Sequence, residues 1–234
     1  MEGTELDIYK VHGLSKIYFT EDRNALKRRE FCALSDIELT VRTQECICIM
    51  GESGSGKTTL LNILGGIVPP STGCVYYKGD NLYQYANRKL EEYRRTQVGF
   101  IFQDYKLLGN LSIEDNIILP LMLDHQNVDM ALKKVNKMAE ILNIKDKLSC
   151  YPYELSGGQQ QRAAICRALM NDPEVILADE PTGNLDDSSA RIVMELLMNI
   201  KDQFKKTLII VTHDHMVASW CDRMIKIELG RILN

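Results

Sequence analysis

A glycine-rich loop between an apolar run and a helix-forming segment most constrains how this chain can fold. The loop, Gly51–Thr59, reads GESGSGKTT and directly follows the apolar residues Cys46–Met50. It fits the pattern G-x-x-x-x-G-K-[ST], in which glycines let successive backbone N–H groups turn inward toward phosphate oxygens. The pattern predicts a strand over Cys46–Met50 and a helix from Lys57 to about Leu64, ended by Gly65-Gly66.

The loop predicts a nucleotide site, because the start of the following helix adds partial positive charge to the inward N–H groups. We expect Lys57 to reach the β- and γ-phosphates and the Thr58 hydroxyl to bind Mg²⁺. A chance match in an unrelated glycine turn is the alternative, and the flanking strand and helix patterns argue against it. The predicted nucleotide-binding residues of the loop are Gly51, Glu52, Ser53, Gly54, Ser55, Gly56, Lys57, Thr58 and Thr59.

A second apolar run ends in two adjacent carboxylates. Val175–Ala178 is continuous in apolar character, as in strands buried in parallel sheets, and Asp179 and Glu180 follow it. Ligands of open α/β sheets bind at the carboxyl ends of the strands. We therefore predict that Asp179 holds magnesium and that Glu180 is the general base for an attacking water.

A third motif places two glycines at a predicted helix start. Leu155–Arg162 reads LSGGQQQR, so that Ser156, Gly157, Gly158 and Gln159 offer a hydroxyl and open backbone N–H groups to an anion. An ordinary glycine-rich helix cap is the simpler interpretation. Because the loop at Gly51 already predicts one phosphate site, a second one is explained if a phosphate is clamped between two subunits.

Together these motifs resemble the ATPase subunit of ABC transporters over nearly the whole chain. Leu155–Gln159 matches the signature of that superfamily, Gln103 its Q-loop and His213 its switch histidine. Pro181–Asp186 matches the D-loop, with Gly183-Asn184 where many members carry Ser-Ala.

The resemblance implies a role for each matched residue. Glu180, His213 and Gln103 are then catalytic, and Thr58, Gln103 and Asp179 bind Mg²⁺. Tyr18 falls where the family has an aromatic residue that stacks on adenine, although Tyr9 and Phe19 are nearby aromatics. ATP is the implied substrate and Mg²⁺ the implied cofactor.

The implied fold is α/β: a RecA-like P-loop NTPase core with an antiparallel β subdomain and a helical subdomain insertion. Strand patterns at Asp7–Val11, Lys16–Phe19 and Ser35–Val41 agree with the β subdomain. We expect one ABC ATPase domain over residues 1–234. Its core and N-terminal β subdomain are residues 1–103 and 164–234, and its helical subdomain, with the signature, is residues 104–163.

The resemblance also implies partners. One is a second copy of the chain, bound head to tail on ATP, with Ser156–Gln159 acting in trans and Asp186 of the D-loop at the interface. The other is an integral membrane permease. The closest resemblance is to the lipoprotein-release, macrolide-export and antimicrobial-peptide-resistance ATPases, whose permeases have a large extracytoplasmic domain. The motifs that carry it are Val98–Gln103, Leu107-Leu108, Asn116 with Leu119–Leu121, and Gly183–Asp186.

Two other functions remain open. One is a cell-division ATPase that regulates wall hydrolases through a related permease. The other is a soluble, non-transport ABC ATPase that acts on DNA or ribosomes. We expect no nucleic-acid partner, because the net charge is −4.

Composition favours a cytoplasmic chain, and the resemblance implies that it is peripheral on the inner face of the membrane through its permease. The sequence MEGTELDIYK lacks the basic and apolar regions of a signal peptide, and the longest apolar run, Ile117–Leu123, is broken by Pro120. The seven cysteines include no C-x-x-C pair, which favours free thiols in a reducing compartment.

Overall fold

The structure is a computed structural model that describes residues 6–21 and 28–233. It divides the chain into two compact units. The first consists of Met1–Glu91 with Val211–Asn234, and the second is Glu92–Ile210. None of the helices in the described part of the chain is long and apolar enough to cross a bilayer.

The first unit contains the predicted antiparallel sheet. Its strand order is β2-β1-β4-β5, and the strands are β1 (Asp7–Glu21), β2 (Arg28–Arg42), β4 (Thr72–Tyr77) and β5 (Asp80–Asn81). The sequence predicted two short strands where β1 is one. Register shifts on either side of Leu14 interrupt the pairing without ending it. Gly13 takes a left-handed φ of 56° at this bulge, and its N–H donates to the Glu38 carboxylate at 2.6 Å.

The strand that precedes the glycine loop also lies in the first unit. This strand, β3 (Cys46–Met50), is fully buried and pairs in parallel with β9 (Arg223–Glu228), which in turn pairs with β10 (Arg231–Leu233). The helix after the loop, α1 (Lys57–Leu64), has the predicted bounds, and Gly65 caps its C-terminus. The short α7 (His215–Ala218) packs on β3.

The second unit combines parallel strands with helices. β6 (Val98–Ile101) and β7 (Val175–Asp179) pair in parallel, and β7 neighbours β8 (Thr207–Thr212), which spans the division between the units. The helices are α3 (Ile113–Leu123), α4 (Val128–Ile141), α5 (Gly157–Ala168) and α6 (Asp187–Phe204). α3 packs against both α4 and α5. One further helix, α2 (Asn87–Thr96), begins in the first unit and ends in the second.

The fold class is as predicted, and the subdomain boundaries at residues 104 and 163 stay a prediction. The helix start predicted at Ser156 is correct. The Ser112 side chain accepts a hydrogen bond from the N–H of Asp115 at 3.0 Å and so caps α3.

Asn116, a residue of the finer resemblance, holds the segment before α3. Its side chain is fully buried and exchanges hydrogen bonds with both backbone groups of Leu108, at 2.7 and 3.0 Å. Its amide also donates to the carbonyls of Leu111 and Ser112. The Asn116 side chain therefore makes the hydrogen bonds that the backbone groups of this irregular segment would otherwise make with water.

Replacing Asn116 with alanine should remove the hydrogen-bond partner of both backbone groups of Leu108. We expect Asn116→Ala to lower the free energy of unfolding by about 2 to 4 kcal/mol in urea denaturation. Asn136→Ala in α4 is the control, because the Asn136 amide makes one comparable bond, to the Leu132 carbonyl at 3.0 Å. Equal losses in the two variants would contradict the bracing role of Asn116.

Candidate nucleotide site

The glycine loop is shaped by close backbone packing within the first unit. A β-carbon at Gly51 would lie 2.2 Å from the Ile227 carbonyl oxygen, so β9 excludes any side chain there. Gly56 has a φ of 103°, and a β-carbon on it would lie 2.3 Å from the Ala33 carbonyl oxygen. The loop can therefore keep its path only with glycine at both ends.

Two polar side chains of the loop are buried. Lys57 is 8% exposed, and its ammonium donates to the carbonyls of Gly51 and Glu52 at 2.8 Å each. The Ser55 hydroxyl is buried, and no hydrogen-bond partner for it occurs in the described part of the chain. A buried ammonium, an unpartnered hydroxyl and a helix start in one loop fit a phosphate group.

The other predicted residues of the first unit are Tyr18 and His213. Tyr18 lies on β1 opposite Phe31, with the Lys16 ammonium 5.0 Å from its ring centroid. His213 is exposed and directly follows β8. The roles of both residues stay predictions.

The second unit carries the carboxylate pair at the end of β7. Asp179 is the last residue of that strand, and Glu180 takes a left-handed φ of 47°. A left-handed glutamate costs about 1 to 3 kcal/mol, which is typical of strained residues at functional sites. This backbone also breaks the alternation of the strand, so that the two carboxylates need not point to opposite faces.

The signature residues form a complete helix cap. The Ser156 hydroxyl accepts from the N–H of Gln159 at 3.4 Å, and the Gln159 side chain accepts from the N–H of Ser156 at 2.9 Å. The simpler interpretation of this motif is therefore correct for its local geometry. A role of Ser156, Gly157, Gly158 and Gln159 in trans stays a prediction.

Asp186 is likewise a cap, at the start of α6. Its carboxylate accepts hydrogen bonds from the backbone and hydroxyl groups of Ser188 and Ser189, and these bonds hold the pKa of Asp186 well below its usual value. This bonding holds the D-loop to the start of α6.

Gln103 meets the D-loop within the second unit. The Asn184 side chain donates to the Gln103 carbonyl at 2.8 Å, although 81 residues separate the two.

Sequence reasoning missed two residues of this region, Tyr105 and Arg167. Arg167 donates to the carbonyls of Lys106 and Tyr105, and no local pattern identifies a contact between such distant residues.

The residues that would hold magnesium have suitable chemistry. Thr58, Gln103 and Asp179 offer a hydroxyl, an amide oxygen and a carboxylate. Magnesium prefers such oxygen ligands, together with phosphate oxygens of a nucleotide.

Comparison with known proteins agrees with these features. The ABC transporter family matches the sequence over residues 34–183, which is more than half of the chain. The chain belongs to the ABC transporter family. Its members bind ATP with Mg²⁺ and hydrolyse it to ADP and phosphate, and this chain is an ATPase of that family.

Individual relatives include export ATPases. The bacitracin export ATP-binding protein BceA of Halalkalibacterium halodurans is 42% identical over 202 residues, covering 85% of this chain and 79% of BceA. The macrolide export ATP-binding/permease protein MacB of Campylobacter jejuni is 41% identical over 205 residues, covering 88% of this chain and 32% of MacB.

A solved structure of similar fold is a dimer. The ATP-binding cassette MJ0796, in a post-hydrolysis state bound to ADP and Pi, has a TM-score of 0.87 and 33% identity, and 97% of each chain is covered.

The packing around Gly56 generates a prediction for this ABC ATPase. Gly54 also has a positive φ, of 80°, but a β-carbon there would meet nothing within 4 Å. We expect Gly54→Ala to cost about 1 to 2 kcal/mol of stability, the strain of a left-handed alanine. Gly56→Ala adds a clash with Ala33 and should cost clearly more. Thermal unfolding without nucleotide measures both variants, and equal losses would argue against the Ala33 contact.

Proposed function

We propose that this ABC ATPase powers a separate membrane permease for export or mechanotransmission, as in antimicrobial-peptide resistance or lipoprotein release. The observation that carries the proposal is the loop around Lys57, whose buried ammonium and shaped backbone suit the β- and γ-phosphates of ATP. The similarity to a bacitracin export protein and to a macrolide exporter supports the export class.

The proposed chemistry divides among the named residues. Loop residues Gly51–Thr59 bind the phosphates, and Tyr18 stacks on adenine. Magnesium held by Thr58, Gln103 and Asp179 would neutralise charge on the β- and γ-phosphate oxygens. Glu180 accepts a proton from the water that attacks the γ-phosphate.

His213 completes the catalytic set as the switch histidine. Its imidazole has two ring nitrogens, and in the neutral ring one donates a hydrogen bond and the other accepts one. It directly follows β8, at the carboxyl end of a strand, where ligands of open α/β sheets bind.

Two copies of the chain would share each ATP. Ser156–Gln159 of one copy would contact the γ-phosphate held by Lys57 of the other, with Asp186 of the D-loop at the interface. The dimeric MJ0796 cassette supports this arrangement. The cap at Ser156 fixes the hydroxyl and the helix start in place before any partner arrives, which lowers the cost of association.

The permease converts closure of the dimer into movement of its membrane domain. The name of MacB joins an ATP-binding and a permease part in one protein, and this chain matches about a third of it. We propose that the permease of this chain has a large extracytoplasmic domain and holds the chain at the cytoplasmic face of the membrane. Identification of the membrane protein that copurifies with the chain tests this proposal.

Glu180→Gln tests the catalytic assignment. The glutamine keeps the shape of the side chain but is no longer a base, so we expect hydrolysis to fall by about 10² to 10⁴ while ATP binding survives. Uncleaved ATP should then hold an ATP-dependent dimer, which light scattering detects, and ADP should leave the protein monomeric. Glu195→Gln on the exposed face of α6 is the matched control and should behave as the wild type.

The same experiment separates the role of Glu180 as the general base from the sharing of each ATP by two copies. Ser156→Arg in the Glu180→Gln background should abolish the dimer, because a bulky side chain would occupy the γ-phosphate contact. Normal hydrolysis by Glu180→Gln would remove Glu180 from catalysis. Tight ATP binding without a dimer would instead contradict the shared site.

A further inference from the structure

Two residues of the D-loop, Gly183 and Asn184, contact Gln103. A β-carbon at Gly183 would lie 3.0 Å from the Gln103 side-chain nitrogen and 3.4 Å from two of its side-chain carbons. The Gln103 side chain therefore lies against the bare α-carbon of Gly183. The β-carbon of a serine at position 183 would be too close to the Gln103 amide for the Gln103 side chain to stay where it is.

Asn184 holds the backbone of the same residue. Its amide donates to the Gln103 carbonyl at 2.8 Å, and Asn184 itself is exposed. An alanine at this position would have no group to make that bond. Gly183 and Asn184 thus act together on Gln103: the first leaves space for its side chain, and the second donates a hydrogen bond to its backbone carbonyl.

The turn after Gln103 also contacts the signature helix, α5. Tyr105 and Lys106 both have left-handed φ values, of 58° and 48°, which non-glycine residues seldom adopt in succession. Arg167 of α5 donates to both of their carbonyls, at 2.7 and 2.5 Å. The Tyr105 hydroxyl lies so close to Gly157 that a β-carbon there would be 2.9 Å away.

We propose that Asn184 is a positioning residue for Gln103. Its hydrogen bond fixes the backbone from which the Gln103 amide reaches the metal, and it ties the D-loop to the Q-loop within one chain. This inference rests on the proposed function of Gln103.

The test compares Asn184→Ala and Asn184→Asp with the wild type. Loss of one hydrogen bond should lower kcat by about 3- to 10-fold. The affinity for ATP should stay within about 2-fold, because the phosphate loop is untouched. The Mg²⁺ concentration for half-maximal activity should rise. Asn184→Asp should be worse than Asn184→Ala, because a carboxylate cannot donate to the Gln103 carbonyl and repels it.

Two controls make the result specific. Asn136→Ala removes a comparable side-chain bond to a backbone carbonyl in α4 and should leave kcat and the Mg²⁺ dependence unchanged. In a Gln103→Ala background, Asn184→Ala should lower kcat by less than about 2-fold, since the side chain that it positions is gone.

The outcomes distinguish the inference from the proposed function. If Gln103→Ala lowers kcat and Asn184→Ala does not, the positioning role is wrong and the role of Gln103 stands. If Asn184→Ala has the same effect with and without the Gln103 side chain, Asn184 acts independently and the inference is overturned. If Gln103→Ala keeps the kcat and the Mg²⁺ dependence of the wild type, both the positioning role of Asn184 and the proposed role of Gln103 are wrong.

Discussion

Lys57 is 8% exposed, and its ammonium donates to two neutral carbonyls, those of Gly51 and Glu52. A full positive charge is costly to bury unless a negative group compensates it, and a polyphosphate is such a group. The backbone must then stay in position around the charge. Close packing of Gly56 on Ala33 and of Gly51 on Ile227 achieves this, because no side chain could fit between them.

Three functional segments, the glycine loop, the signature and the D-loop, each lie at the start of a helix. α1 follows the glycine loop, α5 follows Ser156, and α6 follows Asp186. The caps at Ser156 and Asp186 are made by side chains of the motifs themselves. Capping therefore fixes Ser156 and Asp186 in space. At α1 and α5 the partial positive charge of the helix start lies near the position proposed for phosphate.

The sequence predicts helices and strands best where local chemistry alone determines their bounds. The bounds of β3 and α1 follow from an apolar run and flanking glycines, and both were predicted correctly. α2 was missed because only Tyr93 of its residues is buried, which leaves no apolar stripe. Within α6, Ile192 is 50% exposed while Met194 is fully buried, although both side chains are apolar. Contacts between distant segments, such as Asn184 with Gln103, depend on packing that no local pattern contains.

The most direct test of the role of Lys57 is kcat/KM for ATP, which reports transition-state stabilisation relative to free enzyme and substrate. Lys57→Ala should lower it by at least about 100-fold, because charge-assisted bonds to two phosphates are lost. Lys133→Ala, at an exposed position of α4, should leave it unchanged. A Lys57→Ala protein with the kcat/KM of the wild type would contradict the assignment of this loop as the ATP site.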